Sequence, residues 1–471
     1  MSVSTYVKST VIGLFLFPLA ASAQTAAPSD PGPAVPVEAA PAAPAAPPSA
    51  PVPVPTPPPP SPAPSPKASA EIGPNAYTLK SSEGGFALKI NGLVQLDGRF
   101  FAKDSNPQLV DTFLARRVIP YIQGTLGSNV SFLISPDFGQ GSPGLTDAWG
   151  EIKLHDWARL RFGKFRSPIG LERLQPPAQI VFPEFALATQ LTPVRDLGIQ
   201  ISGEDKDGGV GYAVGIFNGA PDNGQCDKDS ASPKEAGGRI YVRPLKLANV
   251  PFDGEILLGF AGTYGKKTPA PGTAVRGSET LPNYTSAGVN AIAPFSSSTT
   301  DQNANTVVSG QQTRLNAHLY AVVGPASLLA EYIRSDLRLA QGWIGTRIAN
   351  SGWNATATVF LFGGRPSFNP VKDVGEYGAI ELAGKVSRLS LDDKRFEALD
   401  PTSPTKTLAD PSKAVSQATE FEGGVNYYYS PNIRFMLDYA QTRFKGGAGK
   451  RDAVTDRETE HLITGRAQLN F

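Results

Sequence analysis

The stretch RLRFGKFRSPIGLERL, residues 159–174, places several cations at close spacing among apolar residues. Arginine presents a planar fork of N–H donors that matches the oxygen atoms of phosphate and carboxylate, so this run could bind an anion. Arg159 and Arg161 alternate with Leu160 and Phe162. In a β-strand this alternation puts the cations on one face and the apolar side chains on the other. What the cations can do therefore depends on the elements around them.

Other residue types that carry chemistry are sparse or far apart. Three scattered histidines and the single cysteine, Cys226, show no spacing for a zinc site or a Cys/His nucleophile pair. The chain has no Walker-type phosphate loop, and its Asp-rich runs lack the spacing and the closing Glu of a calcium loop. We therefore predict no enzymatic activity, no cofactor and no metal site. The net charge of +1 predicts no nucleic-acid partner.

The N-terminal region has the features of an exported protein. Lys8 precedes an apolar run that ends in Ala-Ser-Ala, which predicts a cleaved signal peptide over residues 1–23. Residues 24–85 are rich in Pro and Ala and predict a disordered or polyproline II linker in the periplasm. The linker is either a tether that contacts peptidoglycan or a spacer without a partner. Folded structure is expected to start near Phe86.

From Phe86 onward the dominant pattern is a period of two. In FALKINGLVQLDGRF, apolar residues and glycine occupy every second position, and Lys89 and Arg99 lie on the other face. Sixteen such strands are predicted, starting at about residues 86, 112, 129, 145, 157, 196, 209, 236, 253, 311, 326, 352, 376, 415, 432 and 459.

Strand length and loop length decide between a soluble sandwich and a membrane barrel. The strands run about 9 to 15 residues, as a tilted membrane-crossing strand requires. Short turns alternate with long loops, except that the connection at residues 365–375 is too long for its side. The fold class predicted for residues 86–471 is all-β, an antiparallel transmembrane β-barrel of about 16 strands with an inward-folded constriction loop.

With the apolar face toward lipid, the polar face lines water, and its cations outnumber its anions. The predicted lumen cations are Lys89, Arg99, Arg117, Lys153, Arg159, Arg161, Arg239, Arg243, Arg314, Lys385, Arg434 and Arg466. The predicted lumen anions are Asp97, Asp147, Glu151, Glu331, Glu381, Asp438 and Glu460. An excess of positive charge on a low-dielectric wall concentrates anions and predicts a modest anion preference. The alternative is a general diffusion pore with mixed lumen charges.

The connection over residues 167–195, hereafter the inward loop, is long, rich in proline and unusually apolar. Such a loop packs against something, and inside a wide barrel it would narrow the pore. It would bring Arg166, Arg173 and Arg195 to the constriction as anion-binding candidates, together with Arg159, Arg161 and Arg117 of the wall. The alternative is that Arg173 and Arg195 pair with carboxylates of the loop, such as Glu184, and hold its shape. Lys164 has the parity of the apolar residues, which places it at the membrane boundary or beyond a bulge.

Several motifs, in order, carry a family resemblance. LRFGKFRSPIGLE resembles the GQFK-x-PFGLE signature of the phosphate-selective porin O/P family of Gram-negative bacteria, and Arg166 takes the place of the lysine of its FK pair. FLARRVIPYIQGTLG resembles the second strand of that family, with its Arg-Arg pair. TPVRDLGIQISG, YAVGIFNGAPDNG, VNYYYSPNIRFMLDYAQTRF and the ending RAQLNF extend the resemblance over about residues 86–471.

The resemblance implies a sixteen-stranded outer-membrane porin, usually a homotrimer, that takes up anions passively. The expected solutes are small anions, with phosphate or polyphosphate among them. The expected surroundings are outer-membrane lipid and lipopolysaccharide, and the expected assembly route is the barrel assembly machinery. Two alternatives remain open: a general non-selective diffusion porin, and a non-conducting structural or adhesion barrel.

Overall fold

The structure is a computed structural model that describes residues 69–73, 76–81, 85–102, 109–228, 234–267, 281–299, 301, 304–369, 371 and 374–471. The predicted signal peptide and most of the predicted linker lie outside these residues. Within the described part of the chain, no helix is both long enough and apolar enough to cross a membrane.

The described residues form one sheet of nineteen strands. The strands are β1 (Ser69–Gly73), β2 (Ala76–Lys80), β3 (Phe86–Phe101), β4 (Thr112–Leu126), β5 (Val130–Asp137), β6 (Gly144–His155), β7 (Ala158–Phe165), β8 (Asp196–Glu204), β9 (Val210–Phe217), β10 (Glu235–Val242), β11 (Gly254–Lys267), β12 (Val307–Val323), β13 (Ala326–Gln341), β14 (Ile344–Phe362), β15 (Ala379–Ser390), β16 (Val415–Tyr428), β17 (Ile433–Lys450), β18 (Ala453–Asp456) and β19 (Glu460–Asn470). The short helices are α1 (Leu171–Leu174) and α2 (Pro244–Leu247), with 3₁₀ turns at Gly139–Gly141, Leu187–Leu191 and Asp393–Phe396.

Sixteen of these strands, β3 to β17 together with β19, form a closed antiparallel barrel. Each strand pairs with its neighbour along the chain, and β19 closes the barrel by pairing with β3 from Leu462↔Phe101 to Asn470↔Leu93. Closure leaves no long unpaired edge within the wall, as a membrane-spanning sheet requires. The predicted fold class and the predicted strand number are confirmed.

The alternation seen in the sequence separates the two faces of the wall. Phe100 is 41% exposed on the outer surface, whereas its neighbour Arg99 is 4% exposed. Leu437 and Asp438 on β17 show the same contrast, at 61% and 3%. The outer face is therefore apolar and the inner face polar, which is the reverse of a soluble β-sandwich.

The two ends of the barrel differ in the length of their connections. At one end the turns are short, as in the two-residue turn between β12 and β13, where Gly324 adopts a φ of +54°. The inward loop and the other long loops lie at the opposite end. The connection at 363–378 is long for the short-turn end, as the sequence indicated, and its Arg365 pairs with Asp253 of a neighbouring turn at 2.8 Å.

Ordered strand structure begins before Phe86, earlier than expected from the Pro/Ala-rich composition. β1 pairs with β2, and β2 pairs with the start of β3 from Tyr77↔Ile90 to Lys80↔Ala87. The closing strand β19 ends at Asn470, so the first residues of β3 would otherwise present an open edge on that side. The hairpin of β1 and β2 covers this edge.

Candidate functional site

The inward loop packs inside the barrel against the wall formed by β13 to β16, as predicted. Its 3₁₀ turn supplies Leu187 and Leu191, which are buried with Ile333 of β13 and Leu389 of β15. These apolar side chains explain why the loop is more apolar than a solvent-exposed loop. It therefore occupies part of the lumen and leaves a cavity beside β6 to β10.

Two predicted lumen cations hold the backbone of the inward loop. Arg434 donates to the carbonyl oxygens of Ile180 and Val181 at 2.9 and 2.8 Å. Arg466 donates to the carbonyl of Pro183 at 2.8 Å and also binds Asp97 of β3. Carbonyl groups buried in a loop need such donors, so these arginines stabilise the constriction.

Glu184, in the same loop, connects the loop to two arginines of the wall. Arg99 donates to its carboxylate at 2.6 Å, and Arg116 donates through Nε and Nη2 at 2.5 and 2.8 Å. Burial by itself would raise the pKa of Glu184, but Arg116 and Arg99 hold that pKa well below its usual range. Glu184 therefore pairs with Arg99 and Arg116 of the wall and not with Arg173 or Arg195, the loop arginines that the alternative named.

Arg116 was missed as a lumen residue because strict alternation places only Arg117 inside. The register between β3 and β4 shifts between the pairs Gln95↔Arg117 and Leu96↔Ala115, which leaves Arg116 as an extra residue in a β-bulge. The bulge lets both arginines reach the interior, and Arg117 donates to Gln95 at 2.7 Å.

The loop arginines differ in their surroundings. Arg195 binds Asp147 of β6 at 2.9 Å. Arg173 is buried over the ring of Phe185, donates to the Thr189 carbonyl and has its pKa lowered to about 10, chiefly by burial. Both therefore brace the loop, but neither does so through a carboxylate of the loop.

Most of the other predicted lumen cations are also neutralised by carboxylates. Their contacts are Arg314 with Asp222 and Glu235 at 2.6 and 2.8 Å, Lys385 with Glu420 at 3.1 Å and with Glu422, Arg243 with Glu255 at 2.6 Å, Lys153 with Asp156 at 2.5 Å, and Arg161 with Glu151 at 2.6 Å. Lys89 is half-buried near the short-turn end of β3. A count of cations therefore overstates the positive charge that a solute meets.

Lys164 is buried rather than at the membrane boundary. It donates to the Leu145 carbonyl at 2.6 Å and pairs with Asp227. Gly163 has a φ of +118°, which interrupts the alternation of β7, so that Lys164 and Phe165 are both buried.

The cavity that the loop leaves beside β6 to β10 has a volume of about 320 Å³ and is hereafter called the open passage. Four arginines and two carboxylates line it, together with aromatic and small residues. The charged lining residues are Arg159, Arg161, Arg166, Arg239, Asp147 and Glu204. The positive groups therefore exceed the negative ones where the barrel remains open.

Three of these arginines have no carboxylate within ion-pair distance among the described residues. Arg159 has no such partner, and Arg239 donates to Nε2 of His318 at 3.2 Å with its guanidinium over the ring of Tyr241. Arg166 donates to the Gln175 carbonyl. Burial and the nearby Arg195 lower the pKa of Arg166 to about 9. The positive charges of these three arginines are therefore not balanced by a carboxylate at ion-pair distance among the described residues, and a solute can bind to them.

Small residues on β9 explain why the passage stays open there. The pairing register places Gly211, Ala213 and Gly215 on the same face as Arg239 and Tyr241 of β10. A Cβ atom on Gly211 would lie 2.1 Å from the ring of Tyr241, so glycine lets this ring lie flat on the wall. Larger side chains here would fill the passage.

A comparison with models of protein families agrees with this architecture. Residues 88–471 match the family model described as phosphate-selective porin O and P. The chain belongs to the phosphate-selective porin O and P family. This porin is thus an outer-membrane channel, and its family and fold point to a channel rather than an enzyme. A search of curated proteins found no significant match.

Several solved porins have a similar fold at low sequence identity. They include an anion-selective porin from Comamonas acidovorans (11% identity, 82% of this chain and 100% of that chain, TM-score 0.49). The outer membrane channel DcaP of Acinetobacter baumannii is similar at 11% identity (83% and 99%, TM-score 0.49). OmpT of Vibrio cholerae in its trimer form is similar at 10% identity (82% and 100%, TM-score 0.49).

Proposed function

We propose that this porin conducts small anions, phosphate and polyphosphate among them, by passive diffusion through the open passage. The observation that carries the proposal is that Arg159, Arg166 and Arg239 line the passage without a carboxylate partner among the described residues. A positive wall of low dielectric constant raises the local concentration of anions and lowers that of cations.

The spacing of these arginines favours a general anion preference over one tight phosphate site. Arg159 pairs with Ser202, Ser202 with Ala213, and Ala213 with Arg239. Three steps of about 4.8 Å between strands separate the two arginine backbones by roughly 14 Å. One phosphate can bind both arginines only if both side chains extend toward each other across β8 and β9.

The test is the reversal potential of purified protein in planar bilayers under a tenfold gradient of potassium chloride. We expect a potential shifted toward that of chloride, and a smaller shift when Arg159, Arg166 and Arg239 are all replaced by alanine. Arg347→Ala is the matched control, because Arg347 is exposed and pairs with Asp336 away from the passage. Conductance without anion preference would establish the general diffusion porin, and a barrel silent in bilayers would establish the structural one.

We also propose a homotrimer, supported by unequal strand lengths. β7, β9 and β10 have 8 residues each, whereas β12 and β14 have 17 and 19. Eight residues extend about 26 Å, or roughly 20 Å in height at a tilt of about 40°, short of the apolar band of about 25 Å. Neighbouring copies would shield this short-stranded wall from lipid. Cross-linking in outer membranes tests this assembly, and an exclusively monomeric product would contradict it.

The remaining proposals concern the export of the chain and the surroundings of the barrel. We propose that residues 1–23 are a cleaved signal peptide and that the barrel assembly machinery inserts the barrel among lipid and lipopolysaccharide. The Pro/Ala-rich linker would lie in the periplasm, within reach of peptidoglycan. The N-terminal residue of the mature protein tests the first point, and Gln24 is the expected result.

A further inference from the structure

The open passage contains a group that a simple anion would leave unused. The side chain of Gln200 on β8 is only 7% exposed, and its Oε1 has no hydrogen-bond partner among the described residues. Gln200 lines the passage. A buried acceptor without a donor costs free energy, so a solute that donates a hydrogen bond here would be favoured over one that cannot.

Two carboxylates give the passage further acceptors. Asp147 lies near its loop end and binds Arg195, and Glu204 accepts from the hydroxyl of Tyr241. A bare anion is repelled by both carboxylates. A solute that carries hydroxyl groups in addition to its charge can donate to them instead. The lining therefore suits a solute with one anionic end and several donors.

The pairing register places donors and acceptors side by side on the wall. Arg161 faces Gln200 across β7 and β8, and Arg159 faces Ser202 two residues further along the strand. Arg239 lies on the same row as Ser202, two strands away. An elongated solute could thus place its charged group at Arg159 or Arg239 while its other groups reach Gln200.

The size of the open passage also exceeds what a small inorganic anion requires. Its volume of about 320 Å³ corresponds to roughly ten water molecules at about 30 Å³ each. Inorganic phosphate has five heavy atoms and fills a small part of this volume. An organic anion of about a dozen heavy atoms fits it.

We infer that the open passage selects hydroxylated organic anions of the sugar-acid class. The carboxylate of the solute binds an arginine without a carboxylate partner, and its hydroxyl groups donate to Gln200 and to one of the two carboxylates, Asp147 or Glu204, which lie at opposite ends of the passage. This inference rests on the proposed anion conductance and names the solute class of the same site.

The test compares two six-carbon carboxylates, gluconate and hexanoate, as blockers of chloride current through the full-length porin in planar bilayers. Gluconate carries hydroxyl groups and hexanoate has none. We expect half-block by gluconate at a concentration at least tenfold lower than by hexanoate, and also lower than by inorganic phosphate. Equal concentrations for the two carboxylates, or a stronger block by phosphate, would overturn the inference.

A substitution tests whether the stronger block by gluconate depends on the side-chain amide of Gln200. Gln200→Leu removes the acceptor, and we expect the gluconate half-block concentration to rise about tenfold while that of hexanoate changes less than twofold. Gln441→Leu is the matched control, because Gln441 lies on the outward parity of β17 and contacts Arg443. An unchanged gluconate block in Gln200→Leu would count against the site.

The two proposals fail in different ways. If gluconate and hexanoate block equally while the reversal potential still favours chloride, the sugar-acid inference fails and the anion porin stands. If the wild-type protein shows no anion preference, the anion porin itself fails. The comparison of blockers needs only the wild-type protein, so the inference stays testable even if Gln200→Leu does not fold.

Discussion

Replacing Glu184 by glutamine should loosen the inward loop without unfolding the barrel. The carboxylate accepts three charge-assisted hydrogen bonds, one from Arg99 and two from Arg116. Glutamine is nearly isosteric but neutral, so Arg116 loses its counter-charge, whereas Arg99 keeps its ion pair with Asp97 at 2.9 Å. The backbone contacts from Arg434 and Arg466 remain. The expected result is therefore a local opening of the loop.

The magnitude follows from burial. Breaking a buried ion pair by removing one partner costs about 3–5 kcal/mol. The side chains of Glu184 and Arg116 are each 16% exposed, so solvent screening reduces this to about 2–3 kcal/mol. At about 1.36 kcal/mol per factor of ten, the open population of the loop should rise roughly 30- to 160-fold.

The assay is single-channel recording, in which a mobile constriction appears as brief fluctuations of the open current. Glu397→Gln is the matched control, because Glu397 is exposed in an outer loop. Heat-modifiable migration on gels verifies that each variant still forms a barrel. A Glu184→Gln channel as quiet as wild type and Glu397→Gln would refute the reasoning that Glu184 anchors the loop.

Two further predictions concern protonation and the outer wall. Because the pKa of Glu184 lies below its usual range, its carboxylate stabilises the closed inward loop fully above about pH 5, and this stabilisation disappears as pH falls through the lowered pKa. The difference in current noise between wild type and Glu184→Gln should therefore be largest at pH 7 and shrink toward pH 3. A difference that stays constant with pH would contradict this. Leu437→Arg should cost about 2–4 kcal/mol in urea titrations of vesicle-folded protein, because Leu437 faces outward near the middle of the part of β17 that pairs with β19, Ile433 to Thr442. Tyr429→Arg at the rim should cost about 0–1 kcal/mol. Equal costs would argue against the assigned membrane position.

Strand alternation explains why much of the fold was predictable. The expected starts at residues 112, 196, 326 and 415 coincide with the first residues of β4, β8, β13 and β16. β14 begins at Ile344 rather than near 352, because its first residues continue the hairpin beyond the apolar pattern, with the exposed Arg347 among them. In a wall that meets lipid on one face and water on the other, every second residue is apolar, so the strands can be recognised in the sequence.

The candidate site was predictable only in part. Parity correctly placed Arg159 and Arg239 on the inner face, since alternation is a local property of a strand. It could not place Arg116, because a bulge is set by pairing with β3. Nor did it single out Gln200, although the run IQIS already puts this glutamine between two outward isoleucines. Its unpartnered buried oxygen is visible only in three dimensions.

The sequence by itself determined the barrel, its strand number, the face that meets lipid and the loop that folds inward, because each rests on local alternation, composition or length. Only the tertiary structure decided which lumen arginines are neutralised. Arg466 and its partner Asp97 lie 369 positions apart in the chain, and Glu184 reaches Arg99 and Arg116 across the lumen. Ion pairs depend on distances between strands that barrel closure brings together. Among the described residues, closure leaves Arg159, Arg166 and Arg239 beside the open passage without a carboxylate partner.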